Sequence, residues 1–188
     1  ENMKLTIAIP THNSARSIKM VLDNLRMAGT NEFKVIIMDN GSKDGTKELL
    51  SVITKPDFYP YEIKYYENGF DGMQGRQQNI PKMRHDIAEK TDTEFIMYLD
   101  SDVMLPKFAV KILLEDFIES GMGMMGIRYE PYADHVQMGA TIMRTKDAKE
   151  MEWRIGDGGC ECRNCAASLI KKDLKTKWHD TLMGMHYK

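Results

Sequence analysis

The chain has 188 residues, enough for one compact domain to bury most of its apolar surface without disulfide or metal staples. Its 26 Lys and Arg balance 28 Asp and Glu to a net −2, which offers no global field for nucleic acid or an anionic membrane. No apolar run approaches the roughly 20 residues of a membrane span, and residues 4–10 are too short for a secretory signal, so the expectation is a protein of the cytoplasm or of a membrane periphery.

In chain order, residues 4–9 are a β-branched apolar run closed by Pro10, which predicts a strand. Asn13 or Ser14 is placed to cap a helix in which Ile18, Val21, Leu22 and Leu25 recur at helical spacing, with Gly29 just past its end. Residues 33–38 (FKVIIM) are apolar nearly throughout, as in a strand covered on both faces. Asp39-Asn40-Gly41-Ser42 is a turn signal, and a short helix is expected over 43–52. Residues 61–66 alternate as a third strand, 94–99 (EFIMYL) form the fourth, and 108–118 read as the helix after it. Beyond that point 122–127 and 136–144 read as strands around a loop at 129–134. Residues 147–153 are ambiguous, 156–159 (GDGG) are a loop, and 164–172 read as a helix. The sixteen methionines suit irregular gaps in a core.

Strands alternating with helices predict an α/β fold around a mainly parallel sheet with right-handed crossovers. Ligands of such sheets sit outside the carboxyl ends of the strands. Three polar clusters fall there: residues 10–13, 39–42 and 100–102. In the last, Asp100 and Asp102 flank Ser101. If the chain there is extended, residues two apart face the same way. Two adjacent carboxylates need a cation or donors to offset their repulsion, and hard oxygen ligands suit Mg²⁺ or Mn²⁺. The bland alternative makes Asp100 the cap of a helix beginning near Pro106 and Asp102 a solvated turn residue.

Four blocks in order resemble the family 2 glycosyltransferases: residues 6–13 (TIAIPTHN), 35–46 (VIIMDNGSKDGT), Arg84 sixteen residues before Asp100, and 95–102 (FIMYLDSD). The resemblance spans about residues 4–145 well and the remainder loosely. It implies the GT-A fold, a mixed, mainly parallel sheet flanked by helices. It also implies a single domain over 1–188, with a nucleotide-binding part at about 1–105 and an acceptor part at about 106–188. The implied activity is transfer of a sugar from a nucleotide-diphosphate donor to an acceptor hydroxyl on a glycan, protein or lipid, with inversion and with Mn²⁺ or Mg²⁺. Block by block, Pro10, His12, Asp39 and Asn40 would line the nucleotide-sugar site, and Arg84 would pair with the diphosphate. Asp100 would contact ribose and metal beside Ser101, Asp102 would bind the metal, and His186 would complete the metal site. Asn40 replaces a second Asp common in the family, His85 replaces the Asn after the arginine, and Ile87 replaces a Gly.

The family also implies a carboxylate base before a late helix. Glu161 and Asp157 are the two candidates here, and the bland reading of either is a helix-terminal acid. Trp153 is placed either to stack on a sugar or to fill core. Cys160, Cys162 and Cys165 make an incomplete tetrahedral zinc site that His179 or His186 would complete; the competing reading is free or buried thiols at a helix start. Two other functions remain open on the sequence. A nucleotidyltransferase should carry a glycine-rich phosphate loop after the first strand, which residues 10–13 lack. A noncatalytic sugar- or metal-binding module would explain Cys162 standing where the family has an acid.

Overall fold

The structure, a computed structural model, describes residues 3–68, 76–155 and 160–187. β1 (Leu5–Thr11) and β2 (Phe33–Asp39) are buried along their whole length, as unbroken apolar strands in a doubly covered sheet must be. β3 (Ile63–Glu67) pairs outside β2, and β4 (Phe95–Leu99) pairs on the other side of β1, all in parallel. β6 (Met124–Arg128), β7 (Ala140–Arg144) and β8 (Thr176–Met183) extend the sheet to seven strands in the order β3-β2-β1-β4-β7-β6-β8. β7 runs antiparallel to both β4 and β6, whereas β8 is parallel to β6. The sheet is thus mixed and mainly parallel, as expected.

Alternation along the strands feeds two cores, one on each face. Ile7, Ile9, Met97 and Leu99 face α1 (Ile18–Asn24) and α4 (Ala109–Ser120). Ala8, Ile36, Ile96 and Tyr98 face α3 (Arg76–Lys90), α5 (Thr145–Glu150) and α6 (Glu161–Ile170). α2 (Thr46–Ile53) buries Thr46, Leu50 and Ile53. A separate two-stranded ribbon pairs β5 (Val103–Met104) with β9 (Met185–His186), returning the end of the described chain to the acidic turn.

Several expectations need correction. Neither Asn13 nor Ser14 caps α1: its N-cap is Ser17, with no side-chain bond. Asn13 instead accepts from the Lys43 amide (2.8 Å), and its own amide donates to Ser42 Oγ (2.8 Å), so the residue ties two loops together. Residues 136–139 are loop and turn, and the strand expected over 136–144 begins at Ala140. The ambiguous 147–153 stretch splits into α5 and an extended segment from Met151. α3, β8 and the β5–β9 ribbon were not foreseen as elements. α3 is a mostly polar sequence interrupted by Pro81, and β8 (TKWHDTLM) is an edge strand too polar to alternate cleanly.

Candidate functional site

The register of β1 on β4 sets Ala8 opposite Tyr98, so two residues further on Pro10 lies level with Asp100. On the other side Thr11 pairs with Asp39, and the Asn40 amide donates to the Thr11 carbonyl at 2.9 Å. Three strand ends therefore open side by side, and a cavity of about 1150 Å³ lies over them. Its walls include Pro10, His12 and Asn40 from the first two loops, Asp100, Ser101 and Asp102 from the third, and His186 from β9.

Polar contacts pin these loops. His12 Nδ1 is 2.7 Å from the Asn40 carbonyl, which can only accept, so Nδ1 carries the proton and Nε2 accepts from Asn13 Nδ2 at 3.0 Å. Asn40 Oδ1 meets Asn79 Nδ2 at 3.5 Å. Ser14 and Ser101 hydroxyls lie 2.8 Å apart, joining the first and third loops. Burial alone would raise the pKa of Asp44, but hydrogen bonds from the Thr46 hydroxyl and the Ala15 and Thr46 amides outweigh it and hold the carboxyl below its usual value.

The acidic residues do not share one environment. Ser101 and Asp102 form a turn, closed by the Val103 amide on the Asp100 carbonyl at 3.2 Å, so the extended-chain argument for parallel side chains does not apply. Both acids still reach the cavity wall. Asp102 Oδ2 lies 3.2 Å from His186 Nε2, and the Tyr187 amide donates to the Asp102 carbonyl at 2.7 Å. His186 Nδ1 is buried with no hydrogen-bond partner. Asp100 Oδ1 instead receives Arg84 Nη2 at 2.6 Å. Asp100 does not cap a helix, since α4 starts at Ala109 with Phe108 as its N-cap.

Arg84 lies behind the wall rather than in it. Its side chain is 4% exposed and spans two carboxylates, Asp100 and Glu161, with Nη1 on Glu161 Oε1. Its neighbour Asp86 pairs with Lys82 instead. Burial disfavours the guanidinium charge, but Asp100 together with the nearby Cys162 and Tyr129 outweighs it and raises its pKa. Tyr98 lies against Arg84 and donates its hydroxyl to the Arg84 carbonyl at 3.0 Å. Glu161 opens α6 in the first turn, where the helix dipole also favours its charge. Asp39 is likewise buried, accepting from the Ser42 amide at 2.9 Å and from the Ser42 hydroxyl. Asp157 and the 156–159 loop lie outside the described residues. Trp153 is half-buried and packs against the core: it meets Tyr98 edge-on at 5.1 Å and donates to the Ala148 carbonyl.

Sequence reading missed two participants. The Tyr129 hydroxyl and Asp100 Oδ2 would each lie 2.2 Å from a Cβ at residue 139, so only glycine admits their approach there. Burial first, and then the Asp100 charge, push the Tyr129 phenol far above its usual pKa, leaving a neutral hydroxyl beside the acid. No motif marks either position. The histidines expected to complete a cysteine zinc site are engaged elsewhere, His179 with Asp116 at 2.7 Å and His186 with Asp102.

By donor chemistry, the carboxylates of Asp100 and Asp102 at the cavity wall are ligands of the kind a hard divalent cation takes, with an imidazole nitrogen close to the second; the ligand atoms of Asp100, Asp102 and His186 do not lie within 4.8 Å of one another as a group of three. No helix among the described residues is long and apolar enough to cross a membrane.

Comparison with known proteins adds the lineage. The profile described as "Glycosyl transferase family 2" matches residues 6–176. A teichoic acid poly(glycerol phosphate) polymerase of Staphylococcus epidermidis is 28% identical over 114 residues, 61% of this chain and 15% of that protein. The O-antigen chain rhamnosyltransferase RfbN of Salmonella typhimurium is 27% identical over 133 residues, 70% of this chain and 39% of that protein. The chain therefore spans well under half the length of the curated relatives it matches. Among solved structures, the mannosyltransferase PcManGT of Pyrobaculum calidifontis, in complex with GDP-Man and Mn²⁺, superposes with a TM-score of 0.80 at 14% identity, covering 97% of this chain and 56% of that one. The shared architecture is that of the GT-A glycosyltransferases.

Proposed function

This chain belongs to glycosyl transferase family 2, and from that premise we propose that it transfers a sugar from a nucleotide-diphosphate donor to an acceptor hydroxyl, with inversion and with divalent-cation assistance. One observation carries the reading: the strand-end loops, both acids of the Asp100-Ser101-Asp102 turn and His186 converge on one cavity of about 1150 Å³. The relatives' names as a polymerase and a rhamnosyltransferase, and the GDP-Man and Mn²⁺ held by the mannosyltransferase, support it.

In this account His12 and Asn40 face the base, Asn40 offering both a donor and an acceptor. Asp39 shapes that loop through Ser42. Asp100 and Ser101 meet the ribose and diphosphate, and Asp100, Asp102 and His186 would hold Mn²⁺ or Mg²⁺. When bound, such a cation would supply charge neutralisation for the leaving diphosphate, worth several kcal/mol of barrier. The acceptor oxygen forms the new bond to the anomeric carbon while the sugar–phosphate bond breaks. The electron pair leaves with the nucleoside diphosphate, and a carboxylate takes the acceptor's proton. Glu161 and Asp157 are the candidates for that carboxylate. Arg84, first expected on the diphosphate, is assigned instead to holding Asp100 and Glu161 in place, since both its terminal nitrogens are already on carboxylates. Residues up to about 105 supply the donor side, and the remainder supplies the acceptor side apart from His186, which returns to the cation.

The test is incubation with a panel of UDP-, GDP- and dTDP-sugars with Mn²⁺ or Mg²⁺, scoring the phosphate product. Release of a nucleoside diphosphate from one donor is expected. Pyrophosphate would make the chain a nucleotidyltransferase, and tight binding without turnover would make it a binding module.

A further inference from the structure

A second group of ligands lies at the start of α6. A ring nitrogen of His135 and the sulfurs of Cys160 and Cys162 all fall within 4.8 Å of one another, and His135 Nε2 is 3.1 Å from Cys160 Sγ. Zinc bonds of about 2.3 Å to sulfur and 2.0 Å to nitrogen in tetrahedral geometry set such ligand atoms roughly 3.5–3.8 Å apart. Closing this group on a metal therefore needs shifts of about 1 Å.

A second, independent feature aims the histidine. His135 Nδ1 lies 2.7 Å from Asp134 Oδ1, and Arg163 Nη2 reaches both oxygens of that carboxylate at 2.8 Å. A carboxylate on Nδ1 fixes the proton there and leaves the Nε2 lone pair facing the thiols, the arrangement that orients metal-bound histidines. Arg163 stands on α6 between Cys162 and Cys165, so the helix that carries one thiol also anchors the carboxylate that positions the imidazole. Cys165 has no exposed surface and packs in the core with Leu169 and Met143.

We propose that His135, Cys160 and Cys162 form a zinc site with three protein ligands and a solvent molecule in the fourth position. Two thiolates and an imidazole favour Zn²⁺ over the oxygen-seeking Mg²⁺ and Mn²⁺, so this site is chemically distinct from the one at Asp102. The metal clamps the loop before β7 to the first turn of α6. Glu161 lies between the two cysteine ligands, so the clamp also fixes the start of the Glu161–Arg84–Asp100 chain.

The experiment measures metal in protein purified under reducing conditions without chelator. Elemental analysis should find about one zinc per chain, retained through dialysis. Cobalt exchanged into the site should show thiolate-to-cobalt charge-transfer absorption. His135→Ala and Cys160→Ser should each lose the zinc and the cobalt band, and serine at the α6 N-cap is expected to preserve the helix; circular dichroism checks this. Cys165→Ala and Asp102→Asn should keep both signals, the latter separating this metal from the one at the acidic turn. Wild-type protein that takes up neither zinc nor cobalt overturns the proposal. So does full zinc content in Cys160→Ser or His135→Ala, or a Cys160–Cys162 disulfide in the protein as isolated.

Discussion

Arg84→Met would remove a cation that is almost wholly buried and touches two carboxylates. Breaking a buried ion pair by deleting one partner costs about 3–5 kcal/mol, because the other charge stays desolvated. Most of that falls on Glu161, whose side chain is 11% exposed; Asp100, at 34%, is screened by water and adds little. For a chain of this length each kcal/mol moves Tm by about 2–4 °C, so the variant should melt about 6–20 °C lower. Glu161→Gln keeps the shape and removes the stranded charge. Arg84→Met/Glu161→Gln should therefore be more stable than Arg84→Met alone, with a coupling of about 1–3 kcal/mol. Thermal and urea unfolding of the four proteins, followed by circular dichroism, closes the cycle. A melting point for Arg84→Met within about 2 °C of wild type, or strictly additive changes, would refute a buried charge-paired arginine.

Gly139→Ala drives a Cβ onto Asp100 Oδ2 and the Tyr129 hydroxyl; a displacement near 1 Å at a reacting centre can cost on the order of 100-fold, so kcat/KM should fall that far in a folded protein, and wild-type turnover would show that this contact is not part of the site. Of Glu161→Gln and Asp157→Asn, the one that removes the base should lower transfer by about 10²- to 10⁴-fold, measured as acceptor product; wild-type rates in both would displace the acceptor side from this region. Burial raises the Cys165 thiol from an ordinary 9.0 to about 12. The thiolate is the reactive form, so at pH 9 iodoacetamide should label Cys165, read by mass spectrometry, only after unfolding; labelling at the unfolded rate in native protein would contradict that burial.

The parallel half of the sheet was legible because β1, β2 and β4 are unbroken apolar runs followed by polar turns, and a doubly covered strand has no other way to look. The three strand-end clusters followed from topology. Arg84 was misplaced although a signal existed: Ile80, Met83, Ile87 and Ala88 surround it at helical spacing, which puts residue 84 on the buried face of α3. Pro81 and the polar first turn masked that period. The β5–β9 ribbon, Tyr129 and Gly139 were not legible, because each depends on a close approach of segments distant in sequence that leaves no local pattern. The cysteines showed as a cluster, but their histidine sits twenty-five residues upstream on another loop.

The most direct test of a cation-assisted donor site at the end of β4 is equilibrium binding of UDP and GDP, with and without Mn²⁺, to wild type and to Asp102→Asn. Binding of one nucleotide that strengthens with Mn²⁺ in wild type and loses that dependence in the variant is the predicted result. Equal Mn²⁺-stimulated binding by both proteins would contradict the account.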